Sequence, residues 1–260
     1  MPSDDQSVLG IPELDPELYP YMPPGWLGLL VGHSGAGTPM FAKQFAQSMV
    51  GSSPVLYYTT YERTEDVHRA FRDFGWDPDG VQIVNLSEEY FRNVLVRSLE
   101  ISQRRERGLK LADLTEPRAK GTTPAAYNIT SRLLADLAAL DGRFRLVLDS
   151  LDFFFEVLEN ADVMTVVRQI RHRAQELGGQ ALLVVQGEFH ERRVSGMLED
   201  MADVVLELTA RPRGESYEHS LAVRKIRNHP ERTKILAARM TESGLTVAHP
   251  EPKATGSPSR

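Results

Sequence analysis

Apolar and polar residues follow two rhythms along this chain. Runs rich in aliphatic, β-branched and aromatic residues at 27–31, 55–60, 81–85, 144–148 and 181–185 have the length and composition of strands. Between them the apolar residues recur at helical spacing. Phe41, Phe45 and Met49 form one such face, and Val67, Ala70, Phe71 and Phe74 another. A further helix is read at 90–101. Ile129, Leu133, Leu137 and Leu140 line a helix over about 124–140. Val163, Val166, Val167, Ile170 and Leu177 line one over 161–177, which Gly178 and Gly179 stop.

Strands alternating with helices of this length call for an α/β fold, a mainly parallel sheet with helices on both faces. Beyond residue 201 the rhythm changes. Strand patterns at 202–208, 219–227 and 233–238 follow one another through short turns, so they are expected as antiparallel strands extending one sheet edge. No repeat of solenoid period is present. The pattern therefore predicts one domain over 10–248, with flexible ends at 1–9 and 249–260.

Composition narrows the possibilities. Of 260 residues, 41% are hydrophobic and 25% charged, enough for a sizeable core in a soluble protein. The net charge of −6 weighs against a surface that coats nucleic acid. With no cysteine, disulfides, thiolate metal sites and cysteine nucleophiles are excluded. No apolar run approaches the roughly 20 residues of a membrane span, and the acidic start at Asp4 and Asp5 is unlike a signal peptide. A cytoplasmic protein with no membrane partner is expected.

The chemistry gathers after the 27–31 strand. Gly32, Gly35 and Gly37 sit in a loop that leads directly into the Phe41 helix, the layout of a nucleotide phosphate-binding loop. Such a loop turns its backbone N–H groups inward, and the helix start adds partial positive charge. Gly32 and Gly37 match both glycines of G-x-x-x-x-G-K-[ST], with Ser34, Gly35 and Ala36 between them. Thr38 then replaces the lysine, and Pro39 replaces the residue whose hydroxyl binds Mg²⁺. A hydrogen bond to a charged group contributes roughly 1.5–3 kcal/mol, so losing the lysine alone weakens phosphate binding roughly tenfold to a hundredfold. A glycine turn that joins strand to helix and binds nothing fits this stretch equally well. Asp149 closes the 144–148 run, where phosphate-loop proteins keep a Mg²⁺-holding aspartate, although aspartates also end strands as turn formers. Glu62 follows the 55–60 strand.

Taken in order, these segments resemble the KaiC-like branch of the RecA-type ATPases, over about residues 10–250. The opening Gly10-Ile-Pro-Glu-Leu-Asp15 and the Pro24-Gly25 lead into the first strand are similar to that group. So are Tyr61-Glu62-Arg63 followed by Phe74-Gly75-Trp76-Asp77, residues 145–150 with their Asp-Ser ending, residues 203–208, and Lys225-Ile-Arg227. The resemblance implies a RecA-type sheet, with ATP in the 32–38 loop and Mg²⁺ near Asp149. It implies that Glu62 orients an attacking water, and that Lys225 and Arg227 reach a nucleotide held by a neighbouring subunit. Arg63 stands where the group has a second carboxylate, so Glu62 is left alone.

Matches and departures together imply a catalytically impaired relative, a regulatory or scaffolding subunit for which ATP is a weak or structural ligand. It would assemble as a homo-oligomer or with an active relative. A working ATPase using Thr38, or an arginine from elsewhere, as its phosphate contact is the second reading. An accessory factor for DNA recombination, by analogy with another branch of the group, is the third, and the acidic balance weighs against DNA as a partner.

Overall fold

The computed structural model describes residues 8–33, 35–106, 124–187 and 191–248. Nine strands form one sheet: β1 (Trp26–Gly32), β2 (Val55–Thr59), β3 (Gln82–Asn85), β4 (Arg145–Asp149), β5 (Gln180–Gln186), β6 (Val204–Arg213), β7 (Ser216–Ile226), β8 (Lys234–Thr241) and β9 (Gly244–Ala248). Their order across the sheet is β3-β2-β4-β5-β1-β6-β7-β8-β9. Every pairing from β3 to β6 is parallel, and those from β6 to β9 are antiparallel. This is the α/β architecture the pattern predicts, with the antiparallel extension on one edge.

The helices are α1 (Asp15–Leu18), α2 (Thr38–Gln47), α3 (Thr64–Asp73), α4 (Leu86–Glu106), α5 (Pro124–Ala138), α6 (Asp152–Val157), α7 (Asn160–Leu177) and α8 (Arg192–Met201). Strand side chains alternate between two cores. Trp26, Leu30, Tyr57 and Val147 pack with Phe41 and Phe45 of α2 and with Val67 and Phe71 of α3. Leu27, Leu29, Leu146 and Leu148 pack on the opposite face with α5, α6, α7 and α8. Gly178 stops α7 in the left-handed conformation, φ 69°.

Four elements, α1, α6, α8 and β9, went unread in the sequence. In α8, Val194, Met197, Leu198 and Met201 do keep helical spacing, and Val194 and Leu198 are buried. The five residues of β9 carry too short a pattern to stand out. Val8 and Leu9, assigned above to a flexible end, are buried in the α2-side core instead. They are pinned because Asp15 accepts the Leu9 N–H at 2.7 Å and the buried Arg145 guanidinium donates to the Val8 carbonyl. The rest of both ends, 1–7 and 249–260, lies outside the described residues. No described helix is long and apolar enough to cross a membrane.

Because β1, β2, β4 and β5 run parallel, their carboxyl ends meet along one edge. The 32–38 loop, Glu62 and Asp149 are all delivered there, which is where open α/β sheets hold ligands.

Candidate functional site

The described residues of the loop turn tightly into α2. Ala36 donates its N–H to the His33 carbonyl at 3.0 Å, and the backbone turns through Gly35 and Gly37 at φ 82° and 92°. Gly37 could not become another residue without backbone strain, because its φ lies in the left-handed region; the Met240 side-chain end of β8, 2.4 Å from an added Cβ, could move aside. Helix α2 starts at once with Thr38, with Pro39 in its first turn, and Phe41 donates to the Gly37 carbonyl at 3.1 Å. Ala36 is buried. Thr38 has turned against the end of β1, its methyl filling the space beside Gly32, where an added Cβ would come within 2.2 Å. Ser34 lies outside the described residues.

Glu62 is fixed by its backbone and paired by its side chain. Its N–H donates to Thr59 Oγ1 at 3.0 Å, and its carbonyl accepts from Asn85 Nδ2 at 2.9 Å. Its carboxylate accepts from Lys43 Nζ of α2 at 2.7 Å. Asp149 ends β4 on the α2 side, as the alternation from Arg145 through Val147 requires. The Tyr57 hydroxyl donates to its Oδ2 at 2.6 Å. Burial pushes the Asp149 carboxyl above the usual carboxylate range, against the Tyr57 hydrogen bond and the Lys43 charge. Burial likewise drives the Tyr57 phenol well up, so it stays a donor. Beside them a second buried carboxylate, Asp152, accepts from Ser150 Oγ at 2.7 Å and from the Gln186 N–H at 3.1 Å.

These residues fit a metal ion poorly. Pro39 has no hydroxyl, one Asp149 oxygen is taken by Tyr57, and a buried ammonium already sits against Glu62. Among the described residues no three His, Asp or Glu side chains gather as a metal cluster.

Lys225 and Arg227 lie apart from this edge. Lys225, on β7, gives its ammonium to the Glu199 carbonyl at 2.5 Å, at the end of α8. Arg227, one residue past β7, pairs with buried Asp203 at 2.6 Å and donates to the carbonyls of Asp200, Met201 and Ala202. Asp203 also holds Arg171 at 2.9 Å and the Leu27 N–H at 3.1 Å. Burial, with help from Arg227, holds Lys225 below the ordinary lysine range. Both cations are engaged within their own chain.

Sequence reasoning thus brought the loop, Glu62 and Asp149 to one edge, and missed Lys43 and Tyr57. The available signal for Lys43 was a lone lysine among the apolar residues of α2; for Tyr57 it was a hydroxyl on the same strand face as the helix.

A family model described as the KaiC ATPase matches residues 8–252. Among solved structures, a KaiC-like protein from the hyperthermophilic archaeon Pyrococcus horikoshii is similar in fold, with a TM-score of 0.61 and 21% identity, covering 94% of this chain and 99% of the other. None of the curated proteins matches the chain.

Proposed function

Since the chain belongs to the KaiC ATPase family, we propose that it is a member whose nucleotide site has kept its backbone and lost its catalytic chemistry. It binds ATP weakly through the 32–38 loop, hydrolyses it slowly or not at all, and serves as a regulatory or scaffolding subunit. One observation carries this reading. The loop turns through two left-handed glycines into the start of α2, while the side chain at the lysine position lies against Gly32 and brings no charge. What the loop itself offers a phosphate is a helix start and backbone N–H groups. Glu62, the residue that would orient a water, is engaged by Lys43. Turnover would need a cation other than Lys43, whose ammonium that carboxylate holds.

Assembly with further copies or with an active relative belongs to the same proposal. Phe91, Leu95 and Leu99 stand exposed at helical spacing on α4 and offer an apolar surface for it. For Lys225 and Arg227 the contacts support a role within the chain, tying β7 to the end of α8.

The test is repair of the two departed positions. Thr38→Lys with Pro39→Thr should tighten ATP binding, read by calorimetry, about tenfold or more, the worth of one charge-assisted contact. Equal affinities in the variant and the parent would show that these positions are not what weakens the site.

A further inference from the structure

We propose that Lys43 is a built-in cation standing in for the divalent metal, so that this site takes a nucleotide's phosphates without Mg²⁺. The inference rests on the reading of this edge as the nucleotide site. Helical side chains lean toward the helix N-terminus, and Lys43 does so. From one turn inside α2 its Nζ reaches back to 3.4 Å from the carbonyl of Pro39, the residue at the metal-hydroxyl position. There it meets Glu62 Oε1 at 2.7 Å and stands 5.7 Å from the centre of the Tyr57 ring, whose hydroxyl is bonded to Asp149.

One ammonium therefore contacts the carboxylate that the family resemblance assigns to water activation, and its charge is felt by Asp149, the carboxylate assigned to metal binding. Its side chain is 3% exposed, and a lysine buried that far persists only when paired. Glu62 supplies the pair, and Asp149 gains from the same charge. Mg²⁺ would need oxygen ligands in near-octahedral order. Here it would meet a fixed positive charge and an aspartate oxygen already occupied by a phenol. The charge that a metal supplies elsewhere is covalently part of α2.

The test uses metal alone, with no nucleotide, so a chain that fails to bind ATP would defeat the proposed function without deciding this point. Free Mn²⁺ is followed by electron paramagnetic resonance as it is titrated with the wild type, Lys43→Met and Lys43→Arg. Wild type and Lys43→Arg should leave the free signal unchanged, while Lys43→Met should bind Mn²⁺ about tenfold or more tightly than either. Equal uptake by wild type and Lys43→Met, or Mn²⁺ binding by the wild type itself, would overturn the proposal. Should Lys43→Met fail to fold, acetylation of wild-type lysines read by mass spectrometry decides. Lys43 should stay protected with and without Mn²⁺, and protection lost on adding Mn²⁺ would mean that the metal displaces the ammonium.

Discussion

Asp149 is drawn in opposite directions by burial, which favours its protonated form, and by the Tyr57 hydroxyl and Lys43 ammonium, which favour the charged one. Burial dominates, so the folded-state pKa lies above the unfolded one. A carboxyl shifted in this direction contributes stability that is fully present below its unfolded pKa, about 3.9. That contribution is lost as pH rises through the folded value. At neutral pH the ionised side chain is a cost. Asp149→Asn keeps an oxygen to accept from Tyr57 and removes the charge, so it should raise the melting temperature at neutral pH. The gain should shrink as pH falls toward about 4. Thermal melts across that range check this, and a gain independent of pH would contradict it. None of this balance was legible in the sequence. Asp149 could be read as a strand-ending carboxylate, but its partners lie 92 residues away for Tyr57 and, for the Lys43–Glu62 contact beside it, 19 residues apart. Periodicity reports which face a residue takes, not which polar groups meet across that face.

Among the elements, the junction of β7 with α8 shows how much one arginine can hold. Arg227 satisfies carbonyls at the end of α8 and pairs with Asp203, which in turn receives the Leu27 N–H at the start of β1. Helix end, edge extension and central strand are thereby tied at one carboxylate. Arg227 is about one-third exposed, 34%, so solvent takes part of the contact's value. Arg171 still balances Asp203 after its removal. Arg227→Ala should therefore cost about 1–2 kcal/mol in urea unfolding. Lys225→Ala should cost less than about 1 kcal/mol, as a partly exposed helix-end cation. Near-zero cost for Arg227→Ala would mean that the contacts are not maintained in solution. The sequence placed this pair correctly at the end of a strand pattern. It could not place the helix end that receives them, because α8 had not been read, although its apolar spacing was there to be counted.

At the scale of the molecule, the parallel core and its antiparallel extension were both legible. Continuous apolar runs mark strands covered on both faces, and the short connections after Arg213 and Ile226 leave no room for a crossover helix. The meeting of the loop, Glu62 and Asp149 also follows from that topology, since parallel strands deliver their carboxyl ends to one edge. What the topology does not dictate is the chemistry installed there. For this KaiC-family domain we propose a phosphate-holding loop beside a lysine-paired Glu62, with no catalytic lysine or metal hydroxyl. The most direct test follows bound nucleotide and released phosphate in the same sample of the wild-type chain, with Mg²⁺ and with a chelator. ATP should be recovered intact from the protein, in amounts unaffected by the chelator, with little or no phosphate above the protein-free control. Steady phosphate release that requires Mg²⁺ would contradict the proposal.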